Sequence, residues 1–451
     1  MWATDDPWWG ILGTPVIDRA ANSIYAVVWN KDSQYRLYEL ELSSGNVKKG
    51  PVVIQGSVNG VNFAETTQGS EQLRKQRAAL LLSQGSLYVA FGGDNYKGLA
   101  GWLFVYDANT LVLLTVWSPT PGGCNGGIWQ SGQGPAIDNE GNVYLQTGDG
   151  QVDPSHQLYG SSLVKLRLTP NGLKVTDFFT PCNQVMLRRC DADQGSAGPL
   201  LFKDMVIGGG KNGELYLMHA NKLAGYTPGP SSSLNNACPV PVACHPGSIP
   251  DCPDGQDVVQ KWPATLGHIH GAPVFWQGPN GKSWLYLMGE GDHLKAFPFV
   301  KGRFNLSGVR KSLWAPAKPE KPSCGGEVMN WMPGGILSVS SNADQPGTGI
   351  VWVVVSANGD ANSYRGVKGM LLALDAEDVS KELWRSQAHN AASDTADSFG
   401  LLARFAPVTV AGGKVFVGNA GDKEPFKRWC PPNRPTMFPQ NYAVVVYGLN
   451  H

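Results

Sequence analysis

Two histidines separated by one residue are the feature of this sequence best suited to chemistry. His268 and His270 lie in the segment HIHGAPVFW, which we predict to be an extended strand. Side chains two residues apart on a strand face the same side, so both imidazoles should reach one site. There they would serve as nitrogen ligands of a single transition metal, with Asp193 or Glu290 as a further ligand. They would equally serve as a general base and a substrate-orienting group, or as structural hydrogen-bonding groups.

Two arginines and several aromatic and amide side chains are further candidates for ligand binding. The guanidinium groups of Arg77 and Arg404 suit a carboxylate or a phosphate, and the alternative for both is a structural ion pair. Trp129 and Trp331 would stack on a planar ring or a sugar face, or else fill space between repeats. The remaining predicted cofactor-binding residues are Gln130, Asp193 and Gln194.

Acidic residues follow glycine in the short strings GGDN, TGDG, GEGD, ANGD and NAGD. Carboxylate oxygens are ligands that calcium prefers, which is one interpretation of this pattern. The other is structural, because Asp in such turns often accepts hydrogen bonds from its own backbone. Together with the related string GGGKNG, these loops contribute Asp94, Asp149, Lys211, Glu290, Asp292, Asp360 and Asp422.

A pattern that recurs seven times must position these residues. Each copy has a short apolar run, a Gly/Asn/Asp turn and a second apolar run with an aromatic residue, starting near 15, 79, 135, 199, 273, 337 and 407. Such runs predict hairpins, and a third and often a fourth strand follow each one. We therefore predict an all-β fold, a seven-bladed β-propeller of four-stranded antiparallel blades that forms one domain over 1–451.

This architecture also predicts where a site would be. Residues just before the first strand of each blade and just after the second strand should converge at one mouth of a central, Trp-lined funnel, and the candidates above fall at these positions. Two stretches rich in Pro, Ser, Asn and Cys, 227–262 and 423–441, are predicted to be loop insertions pinned by disulfides.

Composition excludes several classes of protein. The 451 residues carry 36 basic and 36 acidic side chains, so the formal net charge is zero and nucleic-acid binding is not expected. A hydrophobic content of 42% is too high for a disordered chain. The sequence has no apolar run long enough to span a membrane.

Eight cysteines lie in polar, glycine- and proline-rich stretches, which is typical of disulfides in an oxidising compartment. Zinc is the competing interpretation, but the paired CxxC spacing of structural zinc sites is missing. We therefore expect a secreted or periplasmic protein. Its first residues, MWATDDPWWG, lack the basic and apolar regions of a signal peptide, so we expect that an export signal has been removed or never existed.

The blade pattern resembles the pyrroloquinoline-quinone-type β-propeller repeat. Blades of that family commonly close with A-L-D-x-x-T-G-x-x-x-W, which the string ALDAEDVSKELW from Ala373 resembles. Longer strings, among them GILGTPVID, GWLFVYDANTL, GGIWQSGQGPAID and MPGGILSVS, look like a secreted subgroup of unassigned activity. The resemblance implies an oxidoreductase that uses pyrroloquinoline quinone with calcium. His268 or His270 would take the proton of a substrate hydroxyl, Arg77 would polarise the quinone, and acids would hold calcium.

Three functions remain open from the sequence. The first is an exported propeller that binds a small organic molecule, with quinone-dependent oxidation as its chemistry. The second is a non-catalytic scaffold that binds carbohydrate or protein. The third is a lyase or cyclase that needs no organic cofactor and uses the same histidines and arginines directly or through a metal.

Overall fold

Seven antiparallel sheets follow one another along the chain, most of them with four strands, and the fold is the seven-bladed β-propeller expected from the repeat. In this computed structural model the chain divides into two compact units, Met1–Lys261 and Trp262–His451. The structure describes residues 10–30, 32, 34–63, 74–93, 99–229, 249–316, 331–357, 359–361, 364–365, 367–386, 398–420, 427–428 and 443–448.

The first two sheets of the first unit keep the order of the chain. Sheet 1 contains β1 (Val16–Asp18), β2 (Ser23–Trp29), β3 (Tyr35–Glu41) and β4 (Val47–Val53). A small hairpin of β5 (Ser57–Val58) and β6 (Val61–Asn62) follows. Sheet 2 contains β7 (Leu81–Ser83), β8 (Ser86–Phe91), β9 (Trp102–Asp107) and β10 (Leu113–Trp117).

The next two sheets carry inserted elements. Sheet 3 contains β11 (Ala136–Ile137), β12 (Asn142–Gln146), β15 (Leu163–Thr169) and β16 (Gly172–Thr180), with the hairpin β13 (Val152–Asp153) and β14 (Leu158–Tyr159) between β12 and β15. Helix α1 (Gln184–Arg189) follows. Sheet 4 contains β17 (Leu200–Phe202), β18 (Met205–Gly209), β19 (Glu214–His219) and β21 (Val258–Pro263), whereas β20 (Gly225–Tyr226) pairs in parallel with β16.

The second unit contains the last three sheets. Sheet 5 contains β22 (Val274–Gln277), β23 (Ser283–Leu287), β24 (Lys295–Val300), β25 (Arg303–Phe304) and β26 (Arg310–Lys311). Sheet 6 contains β27 (Ile336–Ser340), β28 (Ile350–Ser356), β30 (Gly369–Asp375) and β31 (Glu382–Arg385). Sheet 7 contains β32 (Val408–Ala411), β33 (Lys414–Asn419) and β35 (Ala443–Gly448), and β29 (Tyr364–Arg365) pairs with β34 (Lys427–Arg428).

Turn residues explain why these hairpins form. Gln84 and Gly85, which join β7 to β8, both have positive φ, as do Gly412 and Gly413 between β32 and β33. Two consecutive residues with positive φ are what a tight two-residue hairpin requires, and the polar or glycine residues at these positions tolerate it.

The core lies between consecutive sheets of each unit. All six residues of β8 are buried, because one of its faces packs against sheet 1 and the other against sheet 3. Similar hydrophobic clusters join sheets 3 and 4, sheets 5 and 6, and sheets 6 and 7. Burial on both faces explains why the inner strands read as nearly continuous apolar runs.

Disulfide bonding is confirmed for the cysteines that the structure describes. Cys182 bonds to Cys252, Cys124 and Cys190 are also disulfide-bonded, and none of these four is free. Cys238, Cys244, Cys324 and Cys430 lie outside the described residues, as do 230–248 and most of 423–441 within the two expected insertions. The stretch 227–262 also contains most of β21, so part of it is a regular outer strand. In the described part of the chain, no helix is long and apolar enough to cross a membrane.

Truncating a side chain of β8 tests this packing. We expect Leu87→Ala to lower the free energy of unfolding by about 2–5 kcal/mol, because Leu87 is fully buried between sheets and its loss leaves a cavity. The matched variant Leu114→Ala, on half-exposed β10 of the same sheet, should change it by less than about 1 kcal/mol. Denaturant unfolding of both variants measures the difference, and equal losses would contradict the described core.

Candidate functional site

A buried glutamate lies between two histidines in the second unit. The Oε2 atom of Glu290 is 3.4 Å from Nδ1 of His268, and its Oε1 atom is 3.1 Å from Nε2 of His270. The side chains of Glu290 and His270 are only 3% and 4% exposed, whereas that of His268 is 41% exposed. The cluster therefore connects a buried carboxylate to an imidazole that solvent reaches.

Two turns of sheet 5 hold this cluster together. The histidines precede β22, Glu290 follows β23, and the backbone N–H of Glu290 donates to the carbonyl of His268 at 3.0 Å. Glycine permits the close packing of a neighbouring loop, because a Cβ atom on Gly334, where φ is 77°, would lie 2.8 Å from the carbonyl oxygen of Met288. The positions of the three side chains are thus set by backbone contacts.

The two histidines are not part of a strand, which corrects the sequence-based expectation, although the same segment enters β22 at Val274. Its side chains still alternate, since Ile269 between the histidines is fully buried while both imidazoles reach Glu290. The histidines lie in the connection between β21, which ends at Pro263, and β22, which begins at Val274.

Two other predicted residues lie on loops near this cluster. Trp331 is buried, its carbonyl accepts the N–H of Gly334, and its own indole N–H has no acceptor. Arg404 is exposed and precedes Phe405, whose ring centroid lies 5.8 Å from that of His270. The second unit therefore gathers His268, His270 and Glu290, with Trp331 and Arg404 on adjoining loops.

A second group of ionisable side chains lies in the first unit. Asp149, Asp191 and Asp193 each offer an oxygen within 4.8 Å of the others, and Lys211 binds two of them. Its Nζ atom is 2.9 Å from Oδ1 of Asp191 and 2.7 Å from Oδ2 of Asp193. Asp193, an expected partner of the histidines, is thus an ion-pair partner of Lys211 in this structure.

Burial shifts the pKa values of this group. Desolvation raises the pKa of Asp149 well above its usual range, and the charges of Asp193 and Asp191 raise it further. Burial alone would lower the pKa of Lys211, but the neighbouring carboxylates outweigh it and the pKa is raised. Burial also lowers the pKa of the nearby Arg188 guanidinium. Lys211 therefore stays charged, whereas Asp149 resists ionisation.

Arg77 and Trp129 contact each other in the first unit. The guanidinium carbon lies 4.9 Å from the centre of the indole, Nε is 3.4 Å from the carbonyl of Trp129, and a terminal nitrogen is 3.4 Å from Oγ of Ser131. On Gly127, a Cβ atom would lie 2.6 Å from the indole nitrogen. The indole thus lies between a cation and glycine backbone, an arrangement typical of a cation–π contact.

Gln130 and Gln194 are buried and bond to protein groups. Oε1 of Gln130 accepts the backbone N–H of Gln146 at 3.3 Å, and Nε2 of Gln194 donates to Oδ1 of Asn212 at 3.4 Å. In this structure both amides support neighbouring turns.

Sequence reasoning missed Asp191 and Arg188. Asp191 occurs two residues before Asp193 in CDADQ, a spacing comparable to that of the histidines, so the pattern itself was available. Arg188 has no such signal, because it approaches Asp149 only through the fold. Asp94 and Asp422 lie outside the described residues.

Comparison with known proteins identifies structural neighbours but no family. No protein-family model matches, and no curated protein matches either. A quinohemoprotein alcohol dehydrogenase from Pseudomonas putida HK5 has 11% identity and a TM-score of 0.44 over 89% of this chain, which spans 61% of that protein. A quinohemoprotein alcohol dehydrogenase from Comamonas testosteroni has 13% identity and a TM-score of 0.41, and the match covers 92% of this chain and 71% of that protein. A europium-containing methanol dehydrogenase has 13% identity and a TM-score of 0.44, and the match covers 90% of this chain and 73% of that protein.

The different burial of the two histidines is directly measurable. We expect diethyl pyrocarbonate to modify His268 several times faster than His270, because the first side chain is 41% exposed and the second 4%. Fragment-ion mass spectrometry of the peptide that contains both residues measures the two rates. Equal rates, or faster modification of His270, would show that the cluster is not arranged as described.

The raised pKa of Asp149 predicts a dependence of stability on pH. The folded state keeps the Asp149 proton over a pH range in which the unfolded chain has lost it. The contribution of Asp149 to the free energy of unfolding is therefore fully present below the usual pKa of 3.8 and is lost as pH rises through the raised pKa of the folded state. In chelator-treated protein, wild type should therefore lose stability relative to Asp149→Asn over this range, by about 1.4 kcal/mol per unit of pKa shift. Urea unfolding at successive pH values measures this difference.

Asp204→Asn is the control for this measurement, because the Asp204 side chain is exposed. A constant stability difference between wild type and Asp149→Asn would mean that the pKa of Asp149 is not raised.

Proposed function

We propose that the protein is an enzyme acting on a small organic molecule bound beside His268, and that His268 removes a proton from this substrate as a general base. One observation carries the proposal, namely the contact of Glu290 with both a solvent-reaching and a buried imidazole. A buried carboxylate beside Nδ1 of His268 keeps the proton on that nitrogen and places the basic lone pair on Nε2.

Burial makes Glu290 effective in this role. A carboxylate that is 3% exposed has little water to stabilise it, so its interaction with an imidazole is stronger than it would be at the surface. The His270 imidazole, itself 4% exposed, holds the other carboxylate oxygen at 3.1 Å and prevents Glu290 from rotating away. His270 is therefore a positioning residue, and His268 is the residue that touches substrate.

The site also suits a transition metal. Two imidazole nitrogens and a carboxylate oxygen lie within 4.8 Å of one another, and this mixed donor set favours zinc, iron or a similar ion over calcium. Metal-assisted chemistry at the same three residues is the second candidate function. In that case the protein would supply the ligands, and His268 would not act as a base.

The residues present do not fit the quinone site implied by the resemblance. Trp129, expected to stack on a planar ring or a sugar face, has its ring against Arg77 and glycine backbone, and Trp331 is buried. Arg77 and glycine backbone thus occupy part of the Trp129 ring, and burial leaves little of the Trp331 ring for a planar cofactor. We therefore derive no step through a quinone.

Export of the protein belongs to this proposal. The Cys182–Cys252 disulfide and the bonded state of Cys124 and Cys190 support an oxidising compartment, such as the periplasm or the outside of the cell. A small polar substrate suits the partly exposed His268 side chain, and the neutral charge of the chain gives no support for nucleic acid as a ligand.

The test is a substrate panel combined with variants of His268. The purified 451-residue chain would be assayed with alcohols and aldoses plus an electron-accepting dye, with and without pyrroloquinoline quinone and calcium. Short uronate-containing oligosaccharides would be assayed for elimination, which raises the ultraviolet absorbance. For any substrate turned over, we expect His268→Gln to lower kcat/KM by about 10²–10⁴-fold and to remove the acidic limb of the pH profile.

His219→Gln is the matched control, since His219 is an exposed histidine of β19. Retention of the wild-type rate by His268→Gln would overturn the assignment of the base. Tightly bound zinc or iron that is lost in both His268→Gln and His270→Gln would favour the metal-assisted candidate. Saturable binding of a panel compound without turnover would favour a recognition scaffold.

A further inference from the structure

We propose that Asp149, Asp191 and Asp193 form a binding site for a hard divalent cation such as calcium. This site lies in the first unit and differs in residues and donor type from the His268–His270–Glu290 cluster. The observation that points to a ligand is Asp149, which is 1% exposed while neither of its carboxylate oxygens has a hydrogen-bond partner.

The charges around Asp149 do not balance. Three carboxylates face two cations, because Lys211 binds Asp191 and Asp193 while the buried Arg188 donates to the carbonyl of Gly150 at 3.2 Å. When all three carboxylates are ionised, one negative charge is left uncompensated, and burial makes such a charge costly. A bound cation at the oxygens of Asp149 removes this cost.

The geometry and the donor atoms select the kind of cation. The three oxygens lie within 4.8 Å of one another. Calcium accepts irregular coordination by carboxylate oxygens and water, whereas magnesium requires a nearly ideal octahedron, so three oxygens that are held by other contacts suit calcium better. Donors that are all oxygen favour a hard cation over zinc or copper. Because the Asp191 side chain is 41% exposed, water can complete the coordination and the ion can enter.

The ligands are held in place before any cation binds. The backbone N–H of Asp149 donates to Oδ1 of Asp193 at 2.8 Å, which fixes the two residues to each other. Asp191 has a φ of 52° and follows the disulfide-bonded Cys190, whose N–H closes the end of helix α1. Lys211 donates its backbone N–H to the carbonyl of Asp193 at 2.9 Å. Such preorganisation lowers the entropy lost on binding.

A proton on Asp149 is the rival to a cation, and the two are separable by experiment. The chelator-treated 451-residue chain would be titrated with calcium by calorimetry and with terbium by luminescence at neutral pH. We expect one saturable site per chain, competition between the two ions, and binding that is at least about tenfold weaker in Asp149→Asn. Asp204→Asn and His268→Gln should bind as wild type does.

Asp191→Asn provides a second test in case Asp149→Asn does not fold, because Asp191 is at the edge of the cluster and its loss leaves Asp149 in place. Absence of saturable calcium binding in wild type would overturn the proposal in favour of a protonated Asp149. Wild-type affinity in both aspartate variants would also overturn it. Binding that is lost in His268→Gln would place the cation at the histidine cluster instead.

Discussion

The packing of each antiparallel sheet against the next one along the chain is the interaction on which the rest of this structure depends. Within each unit, a hydrophobic cluster joins every pair of consecutive sheets. A strand such as β8, covered on both faces, has no place for a charged side chain. Both candidate sites lie instead in turns beyond the strand ends, where backbone and side chains can place polar groups together.

The two sites show how one structural setting gives different chemistry. Glu290 and Asp149 are both buried carboxylates in a turn that follows the second strand of a sheet. Glu290 contacts two imidazoles, which can accept or release protons near neutral pH. Asp149 has two other carboxylates as neighbours, so its own ionisation is opposed. The first arrangement suits proton transfer, and the second suits binding of a positive charge.

Unusual backbone conformations accompany both sites. In the first unit Gln130, Ser131 and Asp191 have positive φ, and in the second unit so does Phe405, which packs against His270. For a residue that is neither glycine nor asparagine this conformation costs free energy, which surrounding contacts must offset. Packed turns of this kind hold functional side chains in one geometry.

Local patterning was sufficient to predict the fold and much of the histidine cluster. Alternation of apolar runs with turn residues such as those at 84–85 depends only on neighbouring residues, so the hairpins and their sevenfold recurrence are visible in the sequence. The same holds for His268 and His270, since their spacing alone places both side chains on one side of an extended segment. Glu290 was a candidate because it follows the second strand of the same repeat.

Only the tertiary structure decided which distant residues meet. It placed Asp193 with Lys211, Asp149 and Asp191, and it brought Arg188 near them although nothing in the local sequence marks that residue. It also placed the Trp129 ring against Arg77. Contacts between residues tens of positions apart depend on the register and twist of whole sheets, which are determined by packing of the complete core, and no local pattern contains that information.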